Sequence, residues 1–153
     1  MEDLRIAKKH LVEEGLTLSI VKDGCVLFET GSHGISGLLR AIQEVGERLR
    51  GASVADKVVG RAIALLCLFA GVGGVYGSVM SGAAEELFEE NGVHAEWAEL
   101  IGSVLDECKS ATCPFERLAG GISDPEEAYK KLKALQDSLK HGRLGDKVGK
   151  RGV

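Results

Sequence analysis

Residues 62–80 are 19 consecutive residues without a charged side chain, and they lie in the longest uncharged stretch of the chain. That length approaches what a helix needs to cross a bilayer. The second half of the stretch, however, contains four glycines and turns to valine and tyrosine, which favours a turn and a strand over one continuous helix. The stretch therefore predicts a buried helix, a turn and a buried strand, and no membrane span.

The residues before this stretch predict a helix, a hairpin and a second helix. Residues 2–14 place apolar side chains on one helical face. Asp23-Gly24 lies between the β-rich runs 16–21 and 25–30, and an Asp-Gly pair in that position is typical of a tight hairpin turn. Residues 35–49 repeat apolar side chains at helical spacing, so they predict an amphipathic helix that ends at a glycine.

Two further helix starts are predicted from polar residues that can cap them. In Ser53-Val-Ala-Asp56 a serine is followed three residues later by an acid, which resembles a capping box and predicts a helix over residues 53–69. Asp124-Pro125 predicts the start of the last helix, because proline suits the first turn that follows an aspartate cap.

The remaining elements decide the predicted fold class. Residues 73–80 predict a buried strand that passes directly into a helix at Ser81, and residues 93–100 predict another strand. A hairpin followed by alternating strands and helices is typical of a mixed sheet covered by helices. We therefore expect an α/β fold, a three-layer α/β/α domain with a mixed sheet.

Charge is unevenly distributed along the chain. The net charge is −4, and residues 141–153 carry four basic side chains against one acid, which leaves −7 for residues 1–140. An acidic body of this kind is a poor binder of nucleic-acid phosphates, so nucleic acid is not an expected partner. Residues 1–140 are predicted to form a single domain, and the glycine-interrupted residues 141–153 a flexible basic tail.

The four cysteines are interpreted as reduced thiols. The charged amino terminus has no apolar run of the kind found in a secretory signal, so we expect a cytoplasmic location, where disulfides are rare. Cys25 falls in a predicted strand and Cys67 in an apolar helix, and both are interpreted as core residues.

Candidate ligand-binding residues come from the two helix starts that follow the hairpin. Ligands of open α/β sheets bind beyond the carboxyl ends of strands, near helix amino termini. Asp56 and Lys57 belong to one predicted helix start, and Ser81 and Gly82 belong to the other. The alternative is that the serines are plain caps and that Asp56 is only the capping-box acid.

Four segments together carry a family resemblance. They are the hairpin, Asp56-Lys-Val-Val-Gly-Arg-Ala62, the strand that runs into Ser81-Gly-Ala-Ala84, and Cys113-Pro-Phe-Glu116. In their order and spacing they resemble the prokaryotic family described as domain of unknown function 1893, over residues 4–138. The resemblance implies a cytidine-deaminase-like fold and self-association into a dimer or larger ring.

The zinc ligands of a true deaminase are not found at the predicted helix starts. Zinc deaminases place His-x-Glu at one helix start and Pro-Cys-x-x-Cys at another. Near Asp56 there is no histidine or cysteine with a suitably spaced glutamate, and Ser81-Gly-Ala-Ala84 contains no cysteine. We therefore expect no zinc-dependent deamination and no cofactor.

Cys108 and Cys113 are also poor candidates for a separate metal site. Four residues lie between them, His94 could supply a third ligand, and no fourth is evident. Cys113 by itself is a candidate nucleophile, since a thiol near a helix start has a lowered pKa, with His33 or His94 as a possible base. A structural role for this thiol is the alternative.

Three hypotheses about function remain open at this stage. The first is a deaminase-like binding domain without the metal, which holds a small, nucleotide-like ligand between Asp56, Lys57, Ser81, Gly82, Cys113 and Glu116. The second is an enzyme that uses Cys113 as a covalent nucleophile. The third is a protein-interaction subunit, in which the acidic body and the basic tail contact a partner.

Overall fold

The structure is a computed structural model that describes residues 2–32, 35–102 and 114–152, with side chains as far as residue 139. The helices are α1 (Glu2–Glu13), α2 (Ser36–Val45), α3 (Arg61–Ala70), α4 (Gly82–Glu90), α5 (Pro114–Ala119) and α6 (Pro125–Gly152), with a 3-10 turn at Gly46–Leu49. The strands are β1 (Leu18–Lys22), β2 (Cys25–Thr30), β3 (Ser53–Val59), β4 (Gly74–Ser81) and β5 (His94–Ile101).

The five strands form one mixed sheet in the order β2-β1-β3-β4-β5. Strand β1 pairs antiparallel with both β2 and β3, while β3, β4 and β5 run parallel to one another. Helices α3 and α4 provide the crossovers between the parallel strands, as parallel pairing requires. The predicted fold class, a three-layer α/β/α domain with a mixed sheet, is confirmed.

The predicted helix over residues 53–69 is wrong in its first half. Residues Ser53–Val59 form strand β3, and the helix begins only at Arg61. The capping-box pattern contributes about 1 kcal/mol to a helix. Three valines favour extended backbone instead, and the segment finds a hydrogen-bonding partner on each side, in β1 and in β4. Ser53 and Asp56 therefore do not cap a helix.

Several local predictions are confirmed. The hairpin turns at Asp23 and Gly24, whose φ angles of 51° and 79° are those of a tight turn between twisted strands. The last helix begins after Asp124, whose Oδ2 accepts the backbone N–H of Glu127 at 2.9 Å. The predicted strands over residues 73–80 and 93–100 are β4 and β5, each displaced by one residue.

Two hydrophobic clusters lie on opposite faces of the sheet. The larger one joins the sheet to α2, α3, α4, α5 and α6. The smaller one joins α1 to β1, β3 and β4, and its buried members are Leu4, Ala7, Leu11, Val21, Ala55 and Tyr76. The helices therefore form two unequal layers, with α1 as the helix in the smaller cluster.

Residues 62–80 divide into α3, a turn and β4, as their composition predicts. No helix among the described residues is both long enough and apolar enough to span a bilayer. Helix α6 continues to Gly152 and so includes most of residues 141–153. The flexibility of that segment stays a prediction.

Gly77 lies at the tightest point between β3 and β4. A methyl group added there would meet Val59 Cγ2 and the Val79 carbonyl oxygen, both at 2.9 Å. Because a backbone atom cannot move aside as a flexible side chain can, we expect Gly77→Ala to destabilise the domain by about 1–3 kcal/mol. Urea denaturation measures this. Gly31→Ala, where nothing lies within 4 Å, is the control, and equal stability of the two variants would contradict the expectation.

Candidate functional site

The carboxyl ends of β3 and β4 form one edge of the sheet, which we call the rim and define by Gly60, Arg61, Ser81 and Gly82. Val59 is the register partner of Met80, so the residues that follow them, where α3 and α4 begin, lie on adjacent strands. Adjacent strands are about 4.8 Å apart. Two helix amino termini, each with partial positive charge, therefore meet at the rim.

Helix α3 begins against a carboxylate from another part of the chain. Glu116, on α5, accepts the backbone N–H of Ala62 at 3.1 Å through Oε1. Burial raises the pKa of Glu116, while the hydrogen bonds from Ala62 and Arg61 and the charge of Arg61 act in the opposite direction. Glu116 therefore occupies the position that an anionic ligand would take at this helix end.

Arg61 attaches the segment after α5 to the start of α3. Its Nε donates to the Ala119 carbonyl at 2.9 Å, and its Nη2 donates to the Ile122 carbonyl at 2.7 Å. Two N–H donors of the Arg61 guanidinium are thus bound to neutral carbonyl oxygens. Its role at the rim is to hold α5, and with it Glu116, in place.

Helix α4 begins differently, because a serine caps it. Ser81 is buried, and its Oγ accepts the backbone N–H of Ala84 at 3.2 Å. This confirms Ser81 as a helix cap. A methyl group added at Gly82 would meet only the Ile101 carbonyl oxygen within 4 Å, at 3.9 Å, which is ordinary contact. The first turn of α4 therefore has room beside Gly82.

Asp56 lies within β3, three residues before the strand ends, and is buried. Burial raises its pKa to about 7, although hydrogen bonds from the backbone N–H groups of Val58 and Lys57 act against this. Burial also raises the pKa of the Cys67 thiol on α3, and the charge of Asp56 adds to that effect, so the two groups are neighbours. Asp56 is a core carboxyl group below the rim.

Of the other predicted ligand-binding and catalytic residues, the structure describes Lys57 but not Cys113. Lys57, next to Asp56, is exposed. Cys113 lies outside the described residues, as do Cys108 and His33, although α5 begins at Pro114, directly after Cys113. Cys67 is buried as predicted, whereas Cys25 is exposed, so its interpretation as a core residue is wrong. Cys25 lies on β2, which has a neighbouring strand on only one side among the strands that the structure describes.

No group of three or more His, Cys, Asp or Glu side chains that could hold a metal ion occurs within the described part of the chain. The absence of a zinc site from the whole chain stays a prediction.

Sequence reasoning missed Gly60, Arg61 and Ala62 as the start of α3. A signal was present, because Gly60 separates the β-branched pair Val58-Val59 from the helix-favouring run that begins at Arg61. The long-range contacts of Arg61 and Glu116 had no such local signal.

The sheet order, the two helical layers and the rim define a three-layer α/β/α domain with a mixed sheet. The chain belongs to the family described as domain of unknown function (DUF1893), whose family profile matches residues 6–138. No curated protein matches the chain.

One solved structure agrees with this assignment, and two others are less similar. The crystal structure of a DUF1893 family protein from Thermotoga maritima is 29% identical, with a TM-score of 0.78 over 87% of this chain and 89% of that chain. RibD from Acinetobacter baumannii is 19% identical, with a TM-score of 0.45 over 61% of this chain and 33% of that one. A Thermotoga maritima diaminohydroxyphosphoribosylaminopyrimidine deaminase/reductase is 20% identical, with a TM-score of 0.45 over 76% and 39%. Nothing about the site follows from these last two likenesses.

Asp56 predicts an unusual pH dependence of stability. Its pKa rises from 3.8 to about 7 on folding, so the folded state binds the proton more tightly. Below about pH 4 this tighter proton binding contributes about 4 kcal/mol to the free energy of unfolding. The contribution is lost as the pH rises to about 7. We expect Asp56→Asn, which keeps an acceptor oxygen for Val58, to remove that loss.

Urea denaturation between pH 4 and pH 8 measures the effect, with Asp137→Asn on the exposed side of α6 as the control. A constant stability difference between Asp56→Asn and the unaltered chain across this range would contradict the assignment of the titration to Asp56.

Proposed function

We propose that this chain is a ligand-binding domain that holds a small anionic molecule, of a nucleotide-like class, at the rim beside Ser81 and Gly82. The observation that carries the proposal is the difference between the two adjacent helix starts. Glu116 occupies the start of α3, whereas the start of α4 has room beside a glycine.

The chemistry of helix amino termini supports an anionic ligand. The first backbone N–H groups of a helix have no partners within the helix, and the macrodipole adds positive potential there. Phosphate groups bind at such positions where a glycine permits close approach to the backbone. The carboxylate of Glu116 on α3 is an internal example of the same preference at this rim.

The roles of the predicted residues follow from their positions. Ser81 and Gly82 shape the binding surface, and Glu116 with Arg61 closes its side at α3. Asp56 lies too deep to contact a ligand at the rim and acts through the stability of β3. We further propose a cytoplasmic location and a self-associating chain.

Thermal unfolding with a set of probes tests the proposal. The probes are inorganic phosphate, ribose 5-phosphate, the 5′-mononucleotides and the corresponding nucleosides. A phosphate-bearing probe at about 100 times its Kd stabilises the folded chain by about 2.7 kcal/mol, which for a chain of this size raises the Tm by about 5–10 °C. We expect the nucleosides to have a smaller effect.

Gly82→Val places a branched side chain over the first turn of α4 and should abolish the shift in Tm. Ala134→Val, on the exposed face of α6, adds the same side chain elsewhere and should keep the shift. Gly82→Ala replaces Gly82→Val if the larger side chain lowers the Tm of the free protein. A shift that survives the Gly82 substitutions, or its absence for every probe, would contradict binding at the rim.

The alternative function is an enzyme with Cys113 as its nucleophile. Helix α5 begins at Pro114, directly after Cys113. A thiolate at such a position reacts faster than an ordinary exposed thiol at low pH, because its pKa is lowered.

Alkylation with iodoacetamide at pH 6–7, followed by mass mapping, tests this alternative. Cys25 is an exposed reference thiol and Cys67 a buried one. An activated Cys113 would react about tenfold faster than Cys25 and Cys108. Equal rates at these three thiols would exclude it.

A further inference from the structure

The face of the sheet that carries α1 is covered on one half only. Among the described residues, the hydrophobic cluster on this face takes side chains from α1, β1, β3 and β4, and β5 contributes none. Six of the eight residues of β5 are exposed, and among them Trp97 and Leu100 are 38% and 47% exposed. The β4–β5 half of the face therefore lacks a covering layer in the described part of the chain.

The register identifies the side chains on this uncovered half. Glu96 is the partner of Tyr76, which packs under α1. Val59 and Met80 belong to the larger cluster on the opposite face, so the side chains before them, Val58 and Val79, face the side of α1. Both valines are half-buried and belong to neither cluster.

Glu99 is the register partner of Val79 and completes this surface, which we call the acidic sheet surface and define by Val58, Val79, Glu96 and Glu99. Neither β4 nor β5 supplies a lysine or arginine to balance its charge, and the exposed Lys57 lies next to Val58 on β3. Between residues 62 and 102 the chain has six glutamates, in α4 and β5, and no lysine or arginine. Glu96 contacts His94 at 2.6 Å, and both side chains remain about half exposed. The surface thus joins two apolar side chains to two acids.

The neighbouring helix presents the opposite charge. A shallow concavity on the outer side of α1 is lined by Arg5, Lys8, Lys9, Val12 and Glu13. Arg5 is paired with Glu2, so Lys8 and Lys9 supply its unpaired positive charge among the described contacts. We call Arg5, Lys8, Lys9 and Val12 the basic helix stripe. Lys8 Nζ lies 4.9 Å above the Tyr76 ring, so the stripe borders the acidic sheet surface. Val12 is 65% exposed, although it is apolar.

We propose that the acidic sheet surface is the contact surface for a second copy of this chain, whose α1 lies across it. The basic helix stripe of each copy then faces Glu96 and Glu99 of the other, and Val12 packs towards Val58 and Val79. Because the helix and the uncovered half lie side by side on one face, a two-fold rotation places each helix on the other copy's uncovered half. Such an interface is closed and self-complementary.

Charge also argues against edge-to-edge pairing of β5 between two copies. Antiparallel pairing of that strand with itself would bring Glu96 and Glu99 of the two copies close together, and like charges on neighbouring positions are destabilising. The helix-to-sheet contact brings opposite charges together instead. This inference gives the proposed self-association a specific surface and rests on that part of the proposed function, while ligand binding at the rim does not depend on it.

Sedimentation equilibrium of the full chain tests the proposal. We expect a dimer, with twice the chain mass of 16.2 kDa, whose dissociation constant rises with salt. The double variant Glu96→Lys, Glu99→Lys and the double variant Lys8→Glu, Lys9→Glu should each weaken dimerisation at least about tenfold through like-charge repulsion. Mixing the two double variants in equal amounts should restore both contacts, because each then joins opposite charges, and form a heterodimer.

The quadruple variant, which carries all four reversals, should recover dimerisation to within about threefold, because each contact again joins opposite charges. Glu44→Lys with Glu47→Lys, exposed acids on the other side of the sheet, is the control and should leave the dimer unchanged. Val12→Asp tests the apolar part of the contact and leaves the basic side chains unchanged. It should also weaken the dimer.

A monomer at about 100 μM would overturn the proposal, as would an oligomer that is insensitive to these reversals or that the quadruple variant fails to restore. Circular dichroism and the Tm of each variant establish that the monomer is folded. The thermal-shift result with the phosphate-bearing probes is independent of these outcomes, so failure of this surface and failure of the rim are distinguished.

Discussion

Strand β3 is the element on which the rest of the structure depends. It pairs antiparallel with β1 on one side and parallel with β4 on the other, so it joins the hairpin to the parallel half of the sheet. Its side chains enter both hydrophobic clusters, through Val54 on one face and Ala55 on the other. The change of strand direction on its two sides makes the sheet mixed, and the end of β3 places the start of α3 at the rim.

The rim combines residues that lie far apart in the chain. Arg61 binds carbonyl oxygens near residue 120, and Glu116 binds the backbone N–H next to Arg61. These contacts close one of two neighbouring helix starts and leave room at the other. An ionisable group, Asp56, is buried below them, which makes the stability of the central strand sensitive to pH in the range where most carboxyl groups have finished titrating.

The proposed ligand site and the proposed dimer surface use different properties of the same sheet. The rim depends on backbone N–H groups at helix starts. Any sequence that folds with this topology and has small residues at these positions would present the same groups. The dimer surface depends on side chains, namely the glutamates of β5 and the basic side chains of α1. Each can therefore be altered without the other.

The sequence by itself determined the layered α/β class, the hairpin, α1, β4 and the cap of the last helix, because each has a local signal in apolar periodicity or turn chemistry. The resemblance of four segments was sufficient for the family. Tertiary structure alone decided that residues 53–59 form a strand, since their local capping pattern favours a helix and only pairing with two neighbours outweighs it. It likewise decided that Asp56 is buried and that Glu116 reaches α3, because such contacts depend on residues brought together by the sheet and not on the neighbours of each residue in the chain.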